Sequence, residues 1–235
     1  MNSLRMQPLK PIATEYAGYK FRSRLEARWA IFFDACNVKW DYELEGYEVG
    51  DDLRYLPDFV LYNVWYNNGE QDKLLKKLFV ECKGLMQEHD MEKIIHFALR
   101  GYRDGNRAEV ENPTIILENI PAGHHMPTIA NNTIRLSNET KYCGIHVSSS
   151  QLVNGFWEWG LCTTGSEALI PGVDLCGEFR LHRMKDILDD IGDTYGDYGV
   201  MNYERTARAY CLARTARFEH GESLTYRDVV REMEG

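Results

Sequence analysis

The six cysteines of this 235-residue chain, at 36, 82, 143, 162, 176 and 211, include no CxxC pair. Without such pairs neither a redox dithiol nor a compact zinc knuckle has its signature, and reduced thiols are the expectation rather than a disulfide framework. A looser set does exist: Cys143 and His146 as CxxH, then Cys162, Cys176 and His182. Four such ligands can close a tetrahedral structural Zn²⁺ site, but the spacing is irregular and favours buried or incidental cysteines. No apolar run approaches the length of a membrane span; WAIFF is the sort of stretch available. The opening MNSLRMQPLKPI has no apolar h-region, so no signal peptide is expected, and the expected location is cytoplasmic with no membrane partner. Repeats and low-complexity tracts are lacking too. The charge balance, 27 Lys+Arg against 36 Asp+Glu, gives −9 and excludes a chain coated with positive charge for nucleic acid.

What is present is the profile of a soluble globular protein, 44% hydrophobic and 27% charged, long enough to bury a core without staples. The charge is uneven. Residues 1–110 carry 16 basic and 18 acidic residues, whereas residues 111–235 carry 11 and 18. KFRSRLEAR gathers Lys20, Arg22, Arg24 and Arg28 around Glu26. A local basic surface can bind phosphates on an acidic protein, because salt screens distant charges within about 10 Å.

Residues 1–18 read as an irregular lead-in. SRLEARWAIFFDAC then sets Leu25, Trp29, Phe32 and Phe33 at helical spacing, with Ser23 as N-cap, Glu26 at the capping-box position and Asn37 as terminator. VKWDYEL alternates as a half-buried strand, EGYEVGDDLR is turn-rich, and YLPDFVLYN is a second strand. Asn67-Asn68-Gly69 marks a turn before KLLKKLFVECKG, a third strand. EHDMEKIIHFALRGYRDG reads as a helix with Gly101 near its end, and PTIILENIP as a buried fourth strand. The order is helix, three strands, helix, strand, which predicts a mixed sheet with helices against it. Past Pro121 the pattern weakens: residues 122–200 are irregular with short strands such as GFWEWGLCTTG. Residues 203–235 form a helical tail, with an arginine-studded helix and a short one opening at Leu224-Thr225.

Two strand-like runs carry charge where packing alone would not place it. RYLPDFVLY holds Asp58 and LFVECKG holds Glu81 and Lys83. Side chains alternate along a strand, so Glu81 and Lys83 share one face and Val80 and Cys82 the other. With Phe59, Leu61, Val80 and Cys82 turned to the core, Asp58, Glu81 and Lys83 converge on the opposite side. Two carboxylates and a lysine at the mouth of adjacent strands suit a hydrolytic Mg²⁺ site, in which the hard cation takes oxygen ligands and makes water more acidic. Lys83 can then orient the attacking water, or deprotonate it if burial lowers its own pKa.

Pro57-Asp58 followed by Glu81-Cys82-Lys83, after a helix bearing Glu26, resembles the PD-(D/E)xK nuclease superfamily, with its restriction-endonuclease-like αβββαβ core and mixed central sheet. FRSRLEARWAIFFD leading into YLPDF and FVECKG is similar to small nucleases of phages and mobile elements, and the ARTARFEHGE helix is similar to one found on such phage proteins. The core resemblance covers about residues 18–120, within a nuclease-like unit of residues 1–121 followed by a C-terminal extension, 122–235. It implies a metal-dependent deoxyribonuclease using Mg²⁺, with Mn²⁺ as substitute. Asp58 and Glu81 would be metal carboxylates, the Cys82 backbone carbonyl a further ligand, Lys83 the catalytic lysine, and Glu26 a ligand directly or through water. Apart from the resemblance, the basic cluster of Arg22, Arg24 and Arg28 around Glu26 is a candidate nucleic-acid-binding surface.

Plainer readings stand beside these. Glu26 can be a capping residue only. The three arginines can form a solvated helix face. His124-His125 can be plain surface, and the five tryptophans core rather than base-stacking platforms. Arg205, Arg208, Arg214 and Arg217 pair by default with nearby acids. The alternative of another class is a catalytically silent nuclease-fold factor of a phage or mobile element that binds nucleic acid or protein. The acidic second half would suit a protein partner. A homodimer, the substrate form and the role of residues 122–200 stay open.

Overall fold

The structure is a computed structural model, and it describes residues 14–50, 53–67, 72–84, 88–100, 109–110, 112–117, 120, 144–146, 169–183, 201–218 and 224–234. In chain order its elements are β1 (Thr14–Tyr16), β2 (Tyr19–Phe21), α1 (Arg24–Ala35), β3 (Trp40–Tyr42), β4 (Tyr47–Gly50), β5 (Leu53–Tyr55), β6 (Phe59–Asn67) and β7 (Asp72–Cys82). There follow α2 (Glu88–Ala98), β8 (Leu99–Arg100), β9 (Glu109–Val110), β10 (Thr114–Leu117), β11 (Gly144–His146), β12 (Leu169–Val173) and β13 (Phe179–Arg183). Two helices, α3 (Tyr203–Thr215) and α4 (Tyr226–Glu234), close the chain.

The architecture is mixed α/β. A curled seven-stranded sheet runs in the order β11-β10-β7-β6-β13-β12, with β3 also on β6. β6 and β7 form an antiparallel hairpin, β7 and β10 run parallel with α2 in the connection between them, and β13 runs parallel to β6. One edge of β6 is shared: β3 pairs at Phe59–Leu61 and β13 at Trp65–Tyr66. Between these partners Asn63 takes a positive φ of 57°. In a regular strand, residues three apart face opposite ways. Here Leu61 and Val64 both enter the same core, which the kink at Asn63 permits.

α1 forms as its sequence predicts. Ser23 Oγ accepts from the Glu26 N–H at 3.2 Å. At the other end Asn37 is left-handed at φ 56°. The Asn37 N–H donates to Asp34 O at 2.9 Å and the Val38 N–H to Phe33 O at 3.0 Å, a Schellman stop with asparagine in glycine's usual place. The helix buries more than one stripe, because Ala27, Trp29, Ala30, Ile31, Phe32 and Phe33 are all fully buried. The sheet covers one side, while Tyr210 of α3 stacks on Phe32 with ring centroids 4.3 Å apart. The other sheet face is covered by α2, whose Ile94 and Phe97 pack on Val60, Phe79 and Ile116.

Several expectations need correction. The lead-in ends in a hairpin, β1–β2, turning through Ala17 and Gly18 at φ 50° and 85°. The turn-rich EGYEVGDDLR contains the β4–β5 hairpin. The third strand begins before KLLKK, because the β6–β7 ladder is paired out to Asn67 and Asp72. α2 stops at Ala98, short of Gly101, and Leu99–Arg100 pair as strand. Residues 169–183, inside the unassigned stretch, supply two strands of the central sheet. One buried cluster joins Trp29, Phe59 and Val80 to Phe179, Tyr210 and Val229, so residues expected in the C-terminal extension share a core with the first 121. Cys143, Cys162, His124, His125 and GFWEWGLCTTG lie outside the described residues, as does the His146 side chain. Of the looser Cys/His set that remains, Cys176 is exposed and His182 is buried.

Candidate active site

Asp58 stands just before β6, and Glu81 is the penultimate residue of its antiparallel neighbour β7. The register Phe59↔Val80 therefore puts the acids at one end of the hairpin. Lys83 follows β7 and its N–H still donates to Leu117 O of β10 at 2.9 Å, so the sheet fixes its backbone. Glu26 arrives from the first turn of α1. All four line one open cleft of about 410 Å³, together with Arg22, Ser23, Tyr55 and Asp90. Arg54 of β5 and Lys93 of α2 also line it. The three acids are 3–6% exposed, so this is a buried carboxylate cluster rather than a solvated strand face.

Every one of the six carboxylate oxygens of these acids has a protein donor. Ser23 Oγ bonds Glu26 Oε1 at 2.6 Å, while Tyr42 Oη donates to Oε2 at 2.6 Å and the Arg22 N–H to the same oxygen at 3.1 Å. Asp58 Oδ2 accepts the Cys82 N–H at 2.7 Å, and Asp58 Oδ1 accepts Arg22 Nη2 at 2.7 Å. Glu81 Oε2 accepts Tyr55 Oη at 2.8 Å, and Glu81 Oε1 lies 3.1 Å from Lys83 Nζ. Lys83 also faces Asp90 Oδ1 at 3.5 Å. Glu26 is thus a cap and a cleft residue at once. The capping reading and the site reading do not exclude each other.

The electrostatics follow from burial. Desolvation, then the neighbouring Glu81 and Glu26, push the Asp58 carboxyl well above the ordinary carboxylate range, against the opposing pull of the Cys82 N–H and Arg22. Glu81 is also raised, chiefly by burial, despite Lys83 and the Tyr55 hydroxyl. Burial alone would lower Lys83, but Glu81, Asp90 and Asp58 outweigh it and hold the ammonium above its ordinary pKa. The condition under which Lys83 would deprotonate water, a pKa lowered by burial, is not met without an ion, because these neighbours favour the ammonium.

Among the described residues no group of three His, Cys, Asp or Glu side chains is arranged as a ready metal cage. The donor chemistry nevertheless fits a hard divalent ion. Carboxylates crowded together and penalised by desolvation are what such a cation relieves, and the oxygens are of the type Mg²⁺ takes. The Cys82 thiol is buried among apolar residues of the main core.

The three arginines separate. Arg22 enters the cleft. Arg24 is exposed and does not line it. Arg28 turns toward α3, its Nη2 3.5 Å from Ala216 O. In the tail, the Arg208 guanidinium bonds Glu232 O of α4, which makes it a helix tether. Tyr42, Tyr55, Asp90, Arg54 and Lys93 were not singled out from sequence. The strand of Tyr42 and the helix of Asp90 and Lys93 were legible and the β5 strand of Arg54 and Tyr55 was not, and no spacing tells which residues of separate elements meet. The chain matches no protein-family model, no curated protein and no solved structure with which it was compared.

Proposed function

We propose that this chain is a Mg²⁺-dependent DNA nuclease with a restriction-endonuclease-like core of the PD-(D/E)xK type, acting in a cytoplasm, a host's if phage-encoded. The observation that carries the reading is the meeting of Glu26, Asp58, Glu81 and Lys83, from three separate parts of the chain, in one buried acidic cleft. Asp58 and Glu81, with Glu26 and the Cys82 carbonyl, would hold the ion. When bound, Mg²⁺ or Mn²⁺ supplies neutralising charge at a scissile phosphate and a more acidic water. Lys83, placed beside Glu81 and Asp90, would orient the attacking water by donating to it and stabilise negative charge gathering on the phosphate. Tyr55 holds Glu81 through a hydroxyl that burial and the adjacent carboxylate keep protonated. Arg54 and Lys93, which also line the cleft, would add positive charge for an approaching phosphate backbone.

The complete pairing of the carboxylate oxygens within the protein favours one second reading, a catalytically silent nuclease-fold factor that binds nucleic acid or protein. Labelled duplex, single-stranded and branched DNA, incubated with Mg²⁺, decides between them. Cleavage that EDTA stops, and that Asp58→Ala and Lys83→Ala each reduce by about 100-fold or more, is the expected result. Binding without cleavage by the parent protein would establish the silent reading, and cleavage undiminished in both variants would remove the site assignment.

A further inference from the structure

We infer that the Arg22 guanidinium is a tethered counter-cation of the cleft, and that a divalent ion binds by displacing it from Asp58. The inference rests on the metal-site reading above and adds to it a competitor built into the chain.

Asp58 has two oxygens with unequal freedom. Oδ2 is fixed by the Cys82 backbone N–H at 2.7 Å. Oδ1 is held by Arg22 Nη2, also at 2.7 Å. Of the other side-chain donors, Tyr42 and Tyr55 sit on strands, Ser23 caps α1 and Lys83 follows β7, and all are buried or half-buried. Arg22 differs, because its side chain is 57% exposed although its partner is buried. Its backbone is anchored independently, with the N–H shared between Glu26 Oε2 at 3.1 Å and Tyr42 Oη at 3.2 Å. The head can therefore leave while the main chain stays.

It also has somewhere to go. Arg22 Nε lies 2.7 Å from Glu43 Oε1. Glu43 is itself positioned, since its N–H donates to Asp58 O at 2.9 Å. The guanidinium thus bridges an inner and an outer carboxylate, and release from the inner one leaves the outer contact intact. Competition follows because a guanidinium on Oδ1 and a divalent ion at the same carboxylate repel each other and draw on the same negative charge. Arg22 on Asp58 and Lys83 on Glu81 offset part of the acids' charge in the metal-free cleft.

The test is a Mn²⁺ titration of the full chain, read by the loss of the free-ion paramagnetic signal, on the parent, Arg22→Ala, Arg22→Gln and Asp58→Ala proteins. Thermal unfolding is followed with and without the ion. Both Arg22 variants should bind Mn²⁺ about fivefold tighter or more, the lower end of ordinary coupling between two binding events. They should also melt lower than the parent in metal-free buffer and gain more from Mn²⁺, while Asp58→Ala should not bind. If the parent binds and both Arg22 variants bind with the same or weaker affinity, the displacement inference fails and the metal site stands. If neither parent nor variants bind Mn²⁺, both fall.

Discussion

Asp58 is buried beside two other carboxylates, and the consequences are measurable without any substrate. Its folded-state pKa is raised by burial, Glu81 and Glu26, and Glu81 is raised by burial as well. Between the ordinary carboxylate pKa of about 4 and these raised values the folded chain binds more protons than the unfolded one. The sign of the linkage then makes metal-free stability greatest below that window, and stability is lost as pH rises through it. Asp58→Asn should flatten the slope and raise the melting temperature of the metal-free protein at neutral pH, as differential scanning calorimetry across pH 4–8 would register. An unchanged slope would mean that the aspartate is not desolvated. Lys83 shows how far residue identity was informative: the sequence marked it as the reactive amine, but its protonation depends on Asp90 and Glu81, of which only Glu81 is a near neighbour in sequence.

Single positions also set the geometry of whole elements. Asn63 lets β6 pass from one edge partner to another while returning Val64 to the core that Leu61 occupies. A β-branched residue pays heavily for a left-handed backbone, so Asn63→Val should cost about 1–2 kcal/mol in urea unfolding, whereas Asn63→Gly should cost little. Equal losses for both would show that the asparagine side chain, not its φ, matters. The helices were the legible elements. α1 announced its start through Ser23 and Glu26 and its stop through Asn37, and α4 carries a reciprocal cap in which Thr225 and Asp228 bond each other's N–H groups. Short hairpins were not legible. β1–β2 has three-residue strands and turns on Ala-Gly rather than on the asparagine or aspartate that signals such turns.

The molecule as a whole is organised around α1, which the sheet encloses on one side and α3 and α4 on the other. Trp29 meets Tyr210 edge-on at 6.2 Å, and Tyr210 also bonds Pro171 O at 2.5 Å, linking the tail to β12. A fragment of residues 1–121 would expose Trp29 and Phe32 and lose β12 and β13. It should show no cooperative thermal transition, while the full chain should show one. A fragment that melts cooperatively would establish that the first 121 residues have a sufficient core of their own. Among the described residues no helix is long and apolar enough to cross a membrane.

Local chemistry wrote the charged motifs, the alternation of β6 and β7, and the caps of α1, because each depends on residues within a few positions of one another. The face shared by Asp58, Glu81 and Lys83 followed from strand periodicity. Other features were decided by contacts between distant segments: the entry of residues 169–183 into the sheet, the burial of α1 all round, and the division of three neighbouring arginines among a cleft, solvent and a helix end. Arg22 precedes the N-cap Ser23, whereas Arg24 and Arg28 stand four apart on α1 and start from one side of the helix; what each meets belongs to chain far away. The pairing of every carboxylate oxygen is of that kind, since its donors come from β3, β5, β7 and the entry to α1, and only folding brings them within hydrogen-bond reach.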